Sequence, residues 1–139
     1  MRTLTEISTR TKIKIAFNDL DPMNIVWHGN YVKYLEAARC DFFEQLKYTY
    51  MDMYRDGSMY PIAKMDFKFM KSAQLGDEIE VECILRELEP AMVFKYNIYL
   101  DGKRILTAST MQMRVDVKTG ETLYQAPEKL KKAIEDFNA

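Results

Sequence analysis

From His28 to about Tyr50 the apolar residues recur at spacings of three and four: Tyr31, Tyr34, Leu35, Ala38, Phe42 and Leu46. That spacing lines them up as one stripe on a helix. A helix of roughly 20 residues is about 30 Å long and crosses an entire small domain. Further Tyr, Phe and Val residues lie off the stripe, which implies a helix covered on more than one side. After Pro61 the period changes from helical to alternating. Ile62 to Met70 sets Ala63, Met65, Phe67 and Phe69 against Lys64, Asp66 and Lys68. Ile79, Val81, Cys83 and Leu85 then alternate with Glu78, Glu80, Glu82 and Arg86, and Met92 to Leu100 repeats the pattern. Period two reads as strands with one buried face.

Asp101-Gly102 suits a two-residue hairpin turn of type I′, in which both positions take φ > 0. Ile105 to Val117 reads as one long strand closed by Lys118-Thr119-Gly120. Short turns between consecutive strands predict an antiparallel meander. A further strand is expected over Thr11–Phe17, with Ile13, Ile15 and Phe17 on its buried side. Pro127 opens a short terminal helix with Leu130, Ala133, Ile134 and Phe137 on its apolar face. Strands grouped after one long helix indicate an α+β fold.

The chain has 139 residues, which predicts a single domain over 1–139 with a core large enough to need no staple. Lys plus Arg is 20 and Asp plus Glu is 21, a net charge of −1, so the basic footprint that nucleic acid demands is missing. Cys40 and Cys83 belong to no metal-ligand spacing and read as two buried thiols in a reducing cytosol. The first residues carry no apolar run of the signal-peptide kind, and no stretch approaches about 18 apolar residues. A cytoplasmic protein without stable membrane insertion is expected.

Many chemistries can be set aside. The sequence holds no GxSxG elbow, no P-loop and no GxGxxG. One histidine cannot supply a multi-histidine metal site. Asp19-Leu20-Asp21 fails as an EF-hand, because Asn24 and Asn30 stand where glycine and glutamate are needed. What remains is one concentrated segment holding Asp19, Asp21, Trp27, His28 and Asn30. It is a loop that ends at a helix start, where unpaired N–H groups and the positive end of the dipole can hold a developing oxyanion. A carboxylate beside them could attack a carbonyl carbon or activate water. Each residue also has an ordinary structural role open to it. Asp and Asn cap loops, Tyr31 and Tyr34 fit a core stripe, and Glu36 with Arg39 has the spacing of a local ion pair.

The segment from Phe17 to Tyr31 resembles the 4-hydroxybenzoyl-CoA thioesterase family, which includes the Tol–Pal-associated thioesterases. The resemblance rests on Asp19-x-Asp21, a short apolar link, Trp27-His28, and Asn30-Tyr31. It continues through Tyr34-x-Glu36-x-x-Arg39, the turn at Ala73–Ile79, and Pro127–Leu130. It implies a hotdog fold, an antiparallel sheet wrapped around a long central helix, in homodimers or homotetramers with active sites at the dimer interface. It implies hydrolysis of acyl-CoA to a carboxylic acid and CoA, with no cofactor and no metal. By the same resemblance Asp21 is nucleophile or general base, and the His28 N–H polarises the thioester carbonyl. The His28 side chain is expected to position water or the leaving thiolate, and Trp27, Gly29, Asn30 and Tyr31 are expected to shape the substrate site. The turn Glu87–Ala91 departs from the pattern, being acidic and apolar where some relatives carry basic residues for CoA phosphates. An acyl-carrier-protein thioesterase and a non-catalytic acyl-CoA-binding module remain as alternatives.

Overall fold

A computed structural model describes residues 7–138. Strand β1 (Ile7–Lys14) leads through a 3₁₀ turn at Phe17–Asp19 and a loop into helix α1 (Asn30–Gln45). A short helix α2 (Tyr50–Arg55) and strands β2 (Ser58–Met59) and β3 (Ile62–Phe69) follow. Strands β4 (Glu78–Glu87), β5 (Met92–Leu100) and β6 (Lys103–Gln112) form the meander. The chain ends with β7 (Arg114–Asp116), β8 (Thr122–Leu123) and helix α3 (Glu128–Asn138).

The main sheet has the order β1-β4-β5-β6-β3 and every neighbouring pair is antiparallel. The alternation in β4 decides its two faces. Ile79, Val81, Cys83 and Leu85 are fully buried, with Phe94, Tyr96 and Ile98 of β5 beside them. The core of α1 packs on that face through Tyr31, Tyr34, Leu35, Ala38 and Phe42. Phe94 meets Phe42 edge-on with ring centroids 5.1 Å apart, a geometry that aromatic quadrupoles favour. On the other face Arg10, Lys12 and Lys14 of β1 stand opposite Glu82, Glu80 and Glu78, a ladder of opposite charges suited to water. One helix seated in a curled antiparallel sheet is the hotdog arrangement. Asp101 and Gly102 take φ of 52° and 78°, as the type I′ turn requires.

Several expectations from the sequence change. The long helix is two helices, not one running from His28 to Tyr50. α1 stops at Gln45, Lys47 turns left-handed at φ 62°, and Thr49 starts α2 by accepting the Asp52 N–H. Thr49 and Asp52 form a capping box, a pattern readable in the sequence but masked by the apolar stripe running through it. β1 runs from Ile7 to Lys14, short of Phe17, which is 79% exposed. The expected strand from Ile105 to Val117 breaks at Met113, whose N–H donates to the Pro61 carbonyl, and β7 joins β2 and β8 in a second small sheet. Cys83 is buried as expected, but Cys40 is exposed on α1.

Arg39 makes no pair with Glu36. It turns inward, is buried, and donates to the hydroxyls of Tyr50 (3.1 Å) and Tyr96 (3.1 Å). β3 is an edge strand, and no face of it is fully covered: Met65 and Phe67 are half-buried and Phe69 is half-exposed. No helix among the described residues is long and apolar enough to cross a membrane.

Candidate active site

The loop between β1 and α1 is a small hairpin, and its hydrogen bonds follow from its residue types. The Trp27 N–H donates to the Asp19 carbonyl (3.0 Å), Leu20 bridges Val26, and the Asp21 N–H donates to the Ile25 carbonyl (2.8 Å). Asp21 therefore sits toward the tip, and Asp19 sits at the base beside the helix start. Pro22 and Met23 form the turn, closed by the Asn24 N–H on the Asp21 carbonyl (3.0 Å). Asn24 takes φ 64°, a conformation that asparagine tolerates better than most residues. The hairpin leans on a second segment, since the Val26 N–H donates to the Ala73 carbonyl and Ile25 bridges Gln74.

Asp21 is half-buried. Its Oδ1 accepts the Met23 N–H at 2.8 Å, and its other carboxylate oxygen has no partner among the described residues. One oxygen thus fixes the side chain while the second stays available. Asp19 is different: it is 4% exposed and saturated. Its carboxylate accepts from Lys33 Nζ (2.6 Å), the Tyr34 hydroxyl (2.9 Å) and the Ala16 N–H (3.1 Å). Burial works to raise its pKa, but these donors outweigh it and hold the carboxyl below the ordinary range. Burial, and then the same carboxylate, push the Tyr34 phenol upward. Neither Lys33 nor the polar role of Tyr34 stands out in the sequence. Lys33 follows no motif, and Tyr34 reads as one more member of the core stripe.

α1 begins without a side-chain cap. Gly29 occupies the N-cap position in helical conformation. The N–H groups of Asn30 and Tyr31 close the first turn on the carbonyls of Trp27 (2.8 Å) and His28 (3.2 Å). The N–H groups of His28 and Gly29 donate to nothing among the described residues. The helix therefore presents two unpaired donors at its positive end.

At Gly29 the constraint is contact with a side chain rather than φ. A Cβ at this position would lie 2.4 Å from ring carbons of Trp27, whose indole covers it. Trp27 is 51% exposed, its ring lies 5.4 Å from that of His28, and the His28 side chain is open to solvent. Asn30 and Tyr31 are engaged in the scaffold. Asn30 Nδ2 donates to the Asp19 carbonyl (2.8 Å), and the Tyr31 hydroxyl accepts the Ala73 N–H (3.1 Å).

The structure thus gathers Asp21, Trp27, His28 and Gly29 on one exposed loop, with Asn30 and Tyr31 as supports beneath it. A free carboxylate oxygen and two free amide donors are what attack on a carbonyl needs. No group of three or more His, Cys, Asp or Glu among the described residues could hold a metal ion.

The chain is similar in sequence to proteins named as acyl-CoA thioesterases. YneP of Bacillus subtilis, which carries a provisional acyl-CoA thioesterase name, is 24% identical over 132 residues, covering 94% of this chain and 92% of that protein. The acyl-CoA thioesterase YbgC of Helicobacter pylori is 29% identical over 82 residues, 59% of each chain. The DHNA-CoA thioesterase structure from Staphylococcus aureus matches with a TM-score of 0.85 at 23% identity, covering 94% of this chain and 91% of that one. The family model of the Thioesterase-like superfamily matches residues 15–134. With the hotdog sheet, the loop geometry and a family match over most of the chain, this protein belongs to the Thioesterase-like superfamily.

Proposed function

We propose that the protein is an acyl-CoA thioesterase that hydrolyses the thioester to a free carboxylic acid and CoA. The observation that carries this reading is the open carboxylate oxygen of Asp21 on the same short hairpin as the unpaired N–H groups of His28 and Gly29. The thioester carbonyl oxygen sits against those N–H groups, and the helix end stabilises the charge that develops on it.

Asp21 then acts in one of two ways. As nucleophile, its oxygen attacks the carbonyl carbon, the C–S bond breaks, and the thiolate leaves and takes a solvent proton. Water then cleaves the mixed anhydride and restores the carboxylate. As general base, Asp21 takes a proton from water, hydroxide attacks, and collapse of the tetrahedral intermediate expels the thiolate, which takes that proton. The exposed Trp27 indole and Gly29 border the approach, and the His28 side chain stands beside the leaving group.

In this reading one copy does not make a complete site. β3 offers an unpaired edge with Phe69 half-exposed beside Tyr31, their rings 5.7 Å apart. Pairing of two β3 edges satisfies the backbone and covers the apolar face, which supports a homodimer with the acyl group bound between copies. The reading takes residues 1–139 as one domain acting in the cytoplasm.

The test is thiol release from short, medium, long and aromatic acyl-CoAs, run with wild type and Asp21→Asn. Turnover should fall about 10²–10⁴-fold in the variant at unchanged melting temperature. Near-wild-type turnover in Asp21→Asn would remove this mechanism. Turnover on carrier-protein thioesters alone would move the substrate, and binding of acyl-CoA with no turnover would make the protein a binding module.

A further inference from the structure

We propose that Asp19 is a positioning residue that fixes where Asp21 stands relative to the N–H groups at the start of α1. The proposal rests on the reading of Asp21 given above. It starts from an excess of bonding. A carboxylate that merely closes a loop needs one backbone donor, and the Ala16 N–H supplies it. Asp19 takes two more donors, Lys33 Nζ and the Tyr34 hydroxyl, both from the first turns of α1. Its backbone carbonyl takes two others, the Trp27 N–H (3.0 Å) and Asn30 Nδ2 (2.8 Å).

These bonds join the three pieces whose relative placement the chemistry depends on. Asp21 lies two residues after Asp19, across the Leu20–Val26 bridge. His28 directly follows Trp27, whose N–H is held by Asp19. The helix behind both is held by the Asp19 side chain. Carboxylate and oxyanion donors are therefore each one short, bonded step from the same residue. A misplacement of about 1 Å between reacting groups costs about 10²-fold in rate, so a shared anchor at this point has kinetic consequences that ordinary loop stability does not.

Lys33 has a definite part. Its side chain is 59% exposed, yet its ammonium reaches back to Asp19 at 2.6 Å. It balances a charge that burial alone would neutralise, so the carboxylate keeps all three acceptor contacts.

The experiment is steady-state kinetics on an active acyl-CoA, with amide hydrogen exchange, on Asp19→Asn, Lys33→Met and Lys33→Arg. Each is measured well below its own melting range. Asp19→Asn and Lys33→Met are expected to lower kcat about 10–100-fold with KM within about twofold, since the substrate contacts persist and only alignment is lost. Lys33→Arg, which keeps a charged donor, should restore kcat to within about threefold. The Asp21 and Trp27 amides should exchange at least tenfold faster in the two impaired variants. Wild-type kcat in both Asp19→Asn and Lys33→Met overturns the proposal, as does unchanged exchange at those amides. If Asp19→Asn fails to fold, the Lys33 pair decides alone, because that side chain is mostly in solvent. Failure of the Asp21 reading shows separately, as full turnover in Asp21→Asn while the exchange result stands.

Discussion

Arg39 is a buried cation with no carboxylate partner among the described residues, and that makes its removal less damaging than the removal of its neighbour. Its guanidinium donates to Tyr50 and Tyr96, each at 3.1 Å. Arg39→Met deletes two charge-assisted bonds, about 1.5–3 kcal/mol each. It also releases the desolvation penalty of a buried ion, itself several kcal/mol. Neither hydroxyl is orphaned, since Tyr96 keeps Thr110 at 2.7 Å and Tyr50 keeps the Gln112 amide at 3.1 Å. The two sides nearly cancel, and a net change within about 1.5 kcal/mol of zero follows.

Tyr96→Phe is the opposite case. It strips the cation of one of its two acceptors and leaves the Thr110 hydroxyl without this partner. Breaking a buried ion's contact costs about 3–5 kcal/mol. The loss here should be about 3 kcal/mol, because Tyr50 remains. The assay is equilibrium unfolding in urea at one fixed protein concentration, with the slope checked for constancy. An Arg39→Met variant less stable than Tyr96→Phe would show that the guanidinium is a net stabiliser, and the reasoning would fail.

Three other perturbations follow from the geometry. Gly29→Ala should drive the Trp27 indole off the helix start, seen as a shift in tryptophan emission and a roughly tenfold loss in kcat/KM, and unchanged emission would refute the contact. Asp19 is held below the ordinary carboxylate range, so its contribution to stability is complete above about pH 4 and is lost as pH falls through its lowered value. Melting temperatures from about pH 5 down to about pH 2.5 should therefore drop more steeply for wild type than for Asp19→Asn, and parallel curves would contradict the shift. On the proposed homodimer, Phe69→Lys places a charge on the edge strand β3 and should halve the mass measured by light scattering while abolishing turnover. An unchanged mass would remove the β3-edge homodimer from the proposed reading.

Wherever a local period or a turn pair controls the backbone, the sequence was enough. Alternation over Glu78–Glu87 and Met92–Leu100, the Asp101-Gly102 turn and the stripe from Tyr31 to Phe42 each express which face can be buried, and the antiparallel meander with its covering helix follows from them. The concentration of chemistry between Asp19 and Tyr31 was equally visible, because so few other reactive residues compete with it.

Tertiary structure decided what local pattern leaves degenerate. The stripe continues smoothly through Leu46, but Lys47 turns left-handed there, and beyond the local capping box α2 is held in its new direction by Tyr50 on Gln112 of β6. Arg39 had a near neighbour of opposite charge at helical spacing and instead met two tyrosines, one of them on β5, because its position faces the sheet. Asp19 and Asp21 are the same residue type two positions apart. Residue type and spacing leave them alike, and the resemblance alone singles out Asp21; in the structure the pairing of Asp19 with Trp27 and of Asp21 with Ile25 sets them apart. It buries one carboxylate among three donors and leaves the other with an open oxygen, and which donors reach which carboxylate depends on how the loop folds back on the start of α1 rather than on sequence spacing.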